Sequence, residues 1–125
     1  MSTNDLILYR ALEGAPEGTL AVTDHQSSGR GRHRRSWFSN PGQSLLFSFL
    51  LKPRDIPHAE LSHLTAVCSY AVVKTLRNCT SEAWHIKWPN DIVRNGRKVA
   101  GILIETSCES ENEKSIVIGL SLIHI

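Results

Sequence analysis

The pair Asn95-Gly96 restricts the fold of this chain more than any other feature, because it lies between two apolar segments of strand length. A two-residue type I′ turn needs positive φ angles at both central positions, and Asn-Gly adopts them at low cost. The pair therefore predicts a β-hairpin that joins a strand at 92–94 to a return strand at 98–106. A hairpin of this kind favours an antiparallel sheet over a parallel one.

The rest of the chain predicts further strands and two helices. Short apolar runs indicate strands at 20–23, 44–51, 85–88 and 115–118. Apolar residues recur at three- and four-residue steps across 61–76, which is the spacing of an amphipathic helix. A shorter helix, capped by Thr3 or Asn4, ends before Gly14. Together these elements predict an α+β fold, a mostly antiparallel mixed β-sheet with helices packed on one face.

Composition excludes several classes of protein. With 125 residues, of which 41% are hydrophobic, the chain has the content of one ordinary globular domain. Its apolar runs are far shorter than a membrane-spanning helix, so no membrane association is expected. Residues 1–5 lack the basic and apolar regions of a secretory signal. Free thiols and a cytoplasmic location are expected from three widely spaced cysteines, Cys68, Cys79 and Cys108.

A long basic segment interrupts the regular pattern. Residues 24–43 have no consistent period and predict a loop, and they contain Gly29-Arg30-Gly31-Arg32-His33-Arg34-Arg35-Ser36-Trp37. Glycines let the backbone approach a ligand closely, and guanidinium groups donate paired hydrogen bonds to phosphate or carboxylate oxygens. Trp37 offers a face on which a base could stack. A solvated basic loop is the alternative, and a net charge of +2 is too small to indicate a nucleic-acid partner by itself.

Two further motifs contain candidate site residues. In Lys87-Trp88-Pro89-Asn90-Asp91, the lysine ends a strand before a proline, which could hold its ammonium at a fixed point in a cleft. The structural alternative places Trp88 in the core and Lys87 at the surface. In the strand 97–105, Gly101 indicates either a close approach of a ligand or packing against the helix. The histidine and cysteine spacings predict no metal site and no nucleophile.

Four segments together resemble the catalytic core of the biotin protein ligases, the biotin–[acetyl-CoA-carboxylase] ligase family. They are Ser2-Thr3-Asn4, Gln26 with the loop to Trp37, residues 87–91, and Lys98-x-Ala100-Gly101-Ile102-Leu103-x-Glu105. The resemblance covers nearly the whole chain. It implies a fold like that of class II aminoacyl-tRNA synthetases and an ATP-dependent ligase that converts biotin to biotinyl-5′-AMP. The biotinyl group then passes to a specific lysine of a biotin carboxyl carrier protein.

The resemblance also implies roles for individual residues. Lys87 and Arg32 would be catalytic, with Lys87 bridging the biotin carboxylate and the α-phosphate. The implied biotin-binding residues are Ser2, Thr3, Asn4, Gln26, Arg30, Gly31, Arg32, Lys87 and Gly101. The implied ATP and adenylate contacts are Arg32, Arg35, Trp37, Asn90 and Asp91. ATP and Mg²⁺ are the implied cofactors, with Mg²⁺ near the last two residues.

By the same resemblance, residues 1–125 form an incomplete catalytic domain, without the family's N-terminal helix-turn-helix and C-terminal β-barrel domain. Ser121 and Ile123 stand where the family pattern has a glycine and an asparagine, a departure that weighs against activity of this chain as it stands. Two alternatives stay open. One is a lipoate protein ligase of the same fold, and the other is a non-enzymatic module that binds single-stranded nucleic acid.

Overall fold

The computed structural model describes residues 1–108 and 114–123. Single turns of 3-10 helix occupy Arg32–Arg34 and His58–Glu60. The main elements, in chain order, are α1 (Thr3–Leu12), β1 (Leu20–Thr23), β2 (Gly29–Arg30), β3 (Ser36–Trp37), β4 (Ser44–Leu51), α2 (Leu61–Cys79), β5 (His85–Lys87), β6 (Asp91–Arg94), β7 (Arg97–Cys108) and β8 (Lys114–Ile123). The predicted α+β class is confirmed.

Six strands form one sheet in the order β1-β4-β8-β7-β6-β5. All five pairings between neighbouring strands of this sheet are antiparallel, which agrees with the predicted mostly antiparallel sheet but without the parallel pairing of a mixed one. The predicted hairpin is confirmed, because Asn95 and Gly96 join β6 to β7 with φ angles of 51° and 74°. At the centre of the sheet, β7 pairs with β8 so that Gly101 lies opposite Ser121.

The two helices lie on opposite faces of the sheet, so the prediction that they share one face is wrong. Helix α1 packs Ile7 against Val117 of β8. Helix α2 packs Leu64 over a cluster that contains Ile116 and Ile118 of the same strand. Successive side chains of a strand point to opposite faces, so neighbouring residues contact different helices. The continuous apolar run in β8 is typical of a strand that is buried on both faces.

The local predictions hold with three changes. Helix α1 is capped by Ser2, whose Oγ accepts a hydrogen bond of 3.1 Å from the Asp5 N–H, rather than by Thr3 or Asn4. Residues 24–43 contain the short hairpin β2–β3, which the irregular sequence did not predict. Strand β8 continues to Ile123, well beyond the predicted end at residue 118. Residues 109–113, which follow β7 in the chain, lie outside the described part of it.

No helix within residues 1–108 and 114–123 is both long enough and apolar enough to span a membrane.

Candidate active site

A cavity with about 490 Å³ of empty space, partly open to solvent, lies on the α1 face of the sheet. Strands β7 and β8, the start of α1 and the β2–β3 hairpin surround it. Its lining includes Ser2, Thr3, Asn4, Gln26, Arg30, Gly31, Arg32, Trp37, Asn90, Lys98, Gly101 and Ser121. The cavity therefore brings together every residue of the implied biotin-binding set except Lys87.

One end of the cavity is a network of neutral polar groups around the first turn of α1. The Gln26 side-chain oxygen accepts hydrogen bonds from the backbone N–H and the hydroxyl of Thr3, at 2.7 and 3.0 Å. Ser48 is fully buried, and its hydroxyl lies 2.6 Å from Thr3 Oγ1 and 2.5 Å from Asn4 Oδ1. Buried polar groups that satisfy one another in this way form a rigid surface. This end of the cavity is suited to a ligand with its own donors and acceptors.

Gly119 allows this network to form. A Cβ atom at Gly119 would lie 2.2 Å from Asn4 Oδ1, which is far inside van der Waals contact. Asn4 occupies the space, and its Nδ2 donates hydrogen bonds to Glu105 Oε2 at 2.8 Å and to the Leu103 carbonyl at 3.3 Å. The glycine on β8 therefore admits an amide that connects α1 to β7.

Arg30 attaches the β2–β3 hairpin to the rest of the protein. Its Nη1 lies 2.5 Å from Glu105 Oε1, and its Nη2 lies 2.6 Å from Asp5 Oδ1 and 2.9 Å from Glu105 Oε2. Hydrogen bonding to Glu105 outweighs burial and raises the pKa of Arg30. Two carboxylates thus neutralise the guanidinium, and Arg30 is not a free cation for a ligand anion. Its buried Nε has no hydrogen-bond partner among the described residues and lies on a side chain that lines the cavity.

The lowered pKa of Asp5 predicts how acid affects the stability of the folded chain. Burial acts to raise the pKa of Asp5, but hydrogen bonds from Ser2 and the charge of Arg30 outweigh it, so this pKa lies below its ordinary value. A carboxyl group with a lowered pKa stabilises the folded state above its unfolded pKa of about 3.9, and the contribution is lost as the pH falls through the folded pKa. We expect Asp5→Asn to be less stable at neutral pH, and the difference to shrink below about pH 4. Urea unfolding of both proteins from pH 7 to pH 3 measures this, and a constant difference would contradict it.

Lys98 supplies a cation that the sequence reasoning did not select. Its Nζ lies 4.4 Å from the centre of the Trp37 ring and 2.9 Å from Asp91 Oδ1. A Cβ atom at Gly101 would lie 3.3 Å from Lys98 Cε and 3.3 Å from Trp37 Cη2. The glycine therefore leaves room for the lysine and the indole to meet in the cavity.

A β-bulge explains why Lys98 faces the cavity. Ile92 pairs with Ala100 but Val93 pairs with Lys98, so Val99 is an extra residue on β7. Val99 and Ala100 both pack in the α2-side core. Without the bulge, strict alternation would place Lys98 on the same face as Ala100, and the extra residue moves it to the face of Gly101. A bulge such as the one at Val99 leaves no clear signal in the sequence. The only hint is the spacing of three residues between Lys98 and Gly101, which strict alternation along a strand would place on opposite faces.

The remaining candidates lie at different places. Lys87 is exposed on β5 and is not among the residues that line the cavity, so its implied catalytic role stays a prediction. Arg35 is also exposed and outside the lining. Asn90 lines the cavity, with its Nδ2 donating to the Ile102 carbonyl at 3.0 Å, and its Oδ1 lies 3.4 Å from Nη1 of Arg32. Arg32 has an exposed side chain and is the second cation of the lining.

The described residues contain no preformed cluster of metal ligands. They contain no group of three or more His, Cys, Asp or Glu side chains that could hold one. Asp91, the carboxylate expected near Mg²⁺, is paired with Lys98 and lies outside the cavity lining. A metal ion on Asp91 would be repelled by the ammonium 2.9 Å away.

Known proteins resemble this chain over almost its whole length. The sequence profile of the biotin/lipoate A/B protein ligase family matches residues 1–122. The bifunctional ligase/repressor BirA of Bacillus subtilis is 42% identical over 112 residues, which is 90% of this chain and 34% of that protein. The biotin–[acetyl-CoA-carboxylase] ligase of Mycobacterium tuberculosis is 31% identical over 125 residues, which is 97% of this chain and 45% of that protein.

A solved structure agrees with the same assignment. The biotin protein ligase from Aquifex aeolicus, in complex with biotin and ATP, superposes with a TM-score of 0.77 at 34% identity, and the match covers 97% of this chain and 47% of that one. The chain thus spans between about a third and a half of the length of these relatives. With a family profile that matches nearly every residue and a fold that agrees with it, this chain belongs to the biotin/lipoate A/B protein ligase family.

Proposed function

We propose that this chain holds the biotin-activating site of a biotin protein ligase. A biotin carboxylate oxygen attacks the α-phosphorus of ATP, an acyl–phosphate bond forms, and the bond to the β-phosphate breaks to release pyrophosphate. A lysine amine then attacks the acyl carbon of biotinyl-5′-AMP, forms an amide and releases AMP. The observation that carries this proposal is one cavity with a neutral polar end at Thr3 and Gln26 and two cations, Lys98 and Arg32. The relative from Aquifex aeolicus, described in complex with biotin and ATP, supports it.

The two ends of the cavity suit the two ends of biotin. The cyclic urea of biotin has two N–H donors and a carbonyl acceptor, and the side chains of Thr3, Asn4 and Gln26 line the cavity with hydroxyl and amide groups. The carboxylate would then lie toward Lys98. Because the reacting carboxylate and the α-phosphate are both anions, the Lys98 ammonium and the Arg32 guanidinium lower their repulsion and stabilise the charge that develops on the phosphate.

The nucleotide side of the proposal involves Trp37, Asn90 and Arg32, which line the cavity. Mg²⁺ enters as part of the substrate MgATP, since the described residues provide no resident metal site. We further infer that the acceptor is a lysine of a biotin carboxyl carrier protein. We also propose a reducing, cytoplasmic setting, which fits the free Cys68, Cys79 and Cys108.

The two alternatives make different demands on the cavity. Lipoate ends in a dithiolane ring without hydrogen-bond donors, so it would form no hydrogen bonds with the polar end of the cavity. In the basic loop, Asp5 and Glu105 neutralise Arg30. A nucleic-acid-binding module would therefore depend on the exposed Arg32 and Arg35 outside the polar network. Biotin is therefore the ligand that the polar network favours.

Calorimetric titration of the chain with biotin, with and without MgATP, tests the proposal. We expect biotin to bind at least about 100-fold more tightly than lipoic acid, because sites built around hydrogen bonds reject analogues that lack them. The affinity for biotin should change little with salt, whereas binding of oligo-dT through phosphate contacts would weaken steeply. Tighter binding of lipoic acid, or salt-sensitive binding of oligo-dT without any binding of biotin, would reject the proposal in favour of the matching alternative.

A further inference from the structure

The Trp37 indole lies over two residues that face each other on the central strands β7 and β8. Its Nε1 donates a hydrogen bond of 2.5 Å to the Ser121 hydroxyl on β8. Its Cη2 lies 3.3 Å from the place where a side chain of Gly101 on β7 would begin. Gly101 and Ser121 are direct cross-strand partners. The indole therefore lies across this pair. It forms a hydrogen bond with Ser121 on β8, and it occupies the space that a side chain at Gly101 on β7 would need.

The same indole forms one side of the environment of the Lys98 ammonium. Lys98 Nζ lies 4.4 Å from the ring centre, and the side chain of Lys98 is 39% exposed. Asp91 Oδ1, at 2.9 Å, is the second neighbour of this ammonium. The position of the ammonium thus depends on where the ring lies, because the aromatic face and the carboxylate attract it from different directions.

We propose that Ser121 is a positioning residue, whose hydroxyl holds Trp37 over Lys98 and thereby fixes the ammonium in the cavity. This inference deepens the proposed function, on which its catalytic meaning rests. Trp37 belongs to a two-residue strand of a hairpin, and the hydrogen bond to Ser121 connects its side chain to the central sheet. A glycine at residue 121, as the family pattern in the sequence led us to expect, would leave the indole N–H without this partner. Ser121 therefore supplies a hydrogen-bond partner for the indole that a glycine would not supply.

Chemical labelling of lysines tests the proposal without any ligand. The chain is treated with limiting acetic anhydride, and mass spectrometry follows acetylation of Lys98 relative to exposed Lys74 on α2. In Ser121→Ala, the ring loses its anchor and the ammonium loses its aromatic neighbour, so Lys98 should react about twofold to fivefold faster, the range of one partly exposed cation–π contact. The rate at Lys74 should not change. Ser121→Thr keeps the hydroxyl and should restore the slower rate at Lys98.

Equal labelling of Lys98 in the unchanged chain and in Ser121→Ala would overturn the proposal. Urea unfolding of each variant checks that the fold is retained. If Ser121→Ala unfolds, Trp37→Phe serves instead, because it removes the indole N–H and keeps an aromatic ring, and equal labelling there overturns the proposal as well. The labelling needs neither biotin nor ATP, so its failure is distinct from failure of the calorimetric titration, which concerns the proposed function alone.

Discussion

Replacement of Lys98 by alanine will lower the rate of pyrophosphate release from biotin and MgATP by about 10²- to 10³-fold, the usual loss when one group that stabilises a developing anion is removed. Replacement of Lys87 by alanine will leave the rate near that of the unchanged chain. The two lysines lie in neighbouring motifs of the sequence, but only Lys98 lines the cavity. A coupled assay for pyrophosphate, run on both variants, measures the contrast.

The contrast follows from where each ammonium lies relative to the cavity, because solvent and salt weaken the effect of a distant charge. The Lys98 Nζ lies between Trp37 and Asp91 on a side chain that is 39% exposed and lines the cavity, so its charge acts at short range on a ligand there. Lys87 is exposed on the edge strand β5, where water and salt screen its charge.

Biotin affinity in the two variants provides a control for the Lys98 experiment. The neutral polar end of the cavity does not involve Lys98, so Lys98→Ala should retain cooperative unfolding and measurable binding of biotin. An equal rate in Lys98→Ala and the unchanged chain, or a larger loss in Lys87→Ala, would show that the cavity has been assigned the wrong lysine.

The elements that the sequence predicted well are those determined by local chemistry. The Asn95-Gly96 turn needs only two residues with positive φ, and the stripe of α2 needs only one period. The sides on which the helices pack depend instead on long-range pairing. Strand β8 is apolar on both faces, so its pattern could not show that α1 and α2 lie on different sides.

The sequence motifs predicted which residues belong to the candidate site, but not the contacts that those residues form with one another. Four of the motif residues, Thr3, Gln26, Arg32 and Gly101, line one cavity. The motifs did not show that Arg30 is paired with two carboxylates, because these partners are 25 and 75 residues away in the chain. They also could not show which of two lysines faces inward, since that depends on the bulge at Val99. Both pieces of information exist only once the strands have paired.

Gly119→Ala will lower the free energy of unfolding by about 2–3 kcal/mol, the cost of inserting a methyl group into a tightly packed interior. The new Cβ would lie 2.2 Å from Asn4 Oδ1, so the amide has to move. Its displacement breaks the contact with Ser48 and weakens the hydrogen bond to Glu105, which leaves buried polar atoms without partners. Urea unfolding measures the loss, and biotin binding should weaken with it, because Asn4 lines the cavity.

A double-mutant cycle with Asn4→Ala separates this cause from a general intolerance of β8 to side chains. Asn4→Ala removes the atoms that a methyl group at Gly119 would meet, so Gly119→Ala should cost at least about 1 kcal/mol less in that background. Gly31→Ala is the matched control, because a Cβ there meets only ordinary contacts, the nearest at 3.5 Å. If the cost at Gly119 is the same with and without Asn4, then the glycine is required for the strand itself rather than for the amide. The connection between α1 and β7 would then have to rest on Arg30 and its two carboxylates instead of on Asn4.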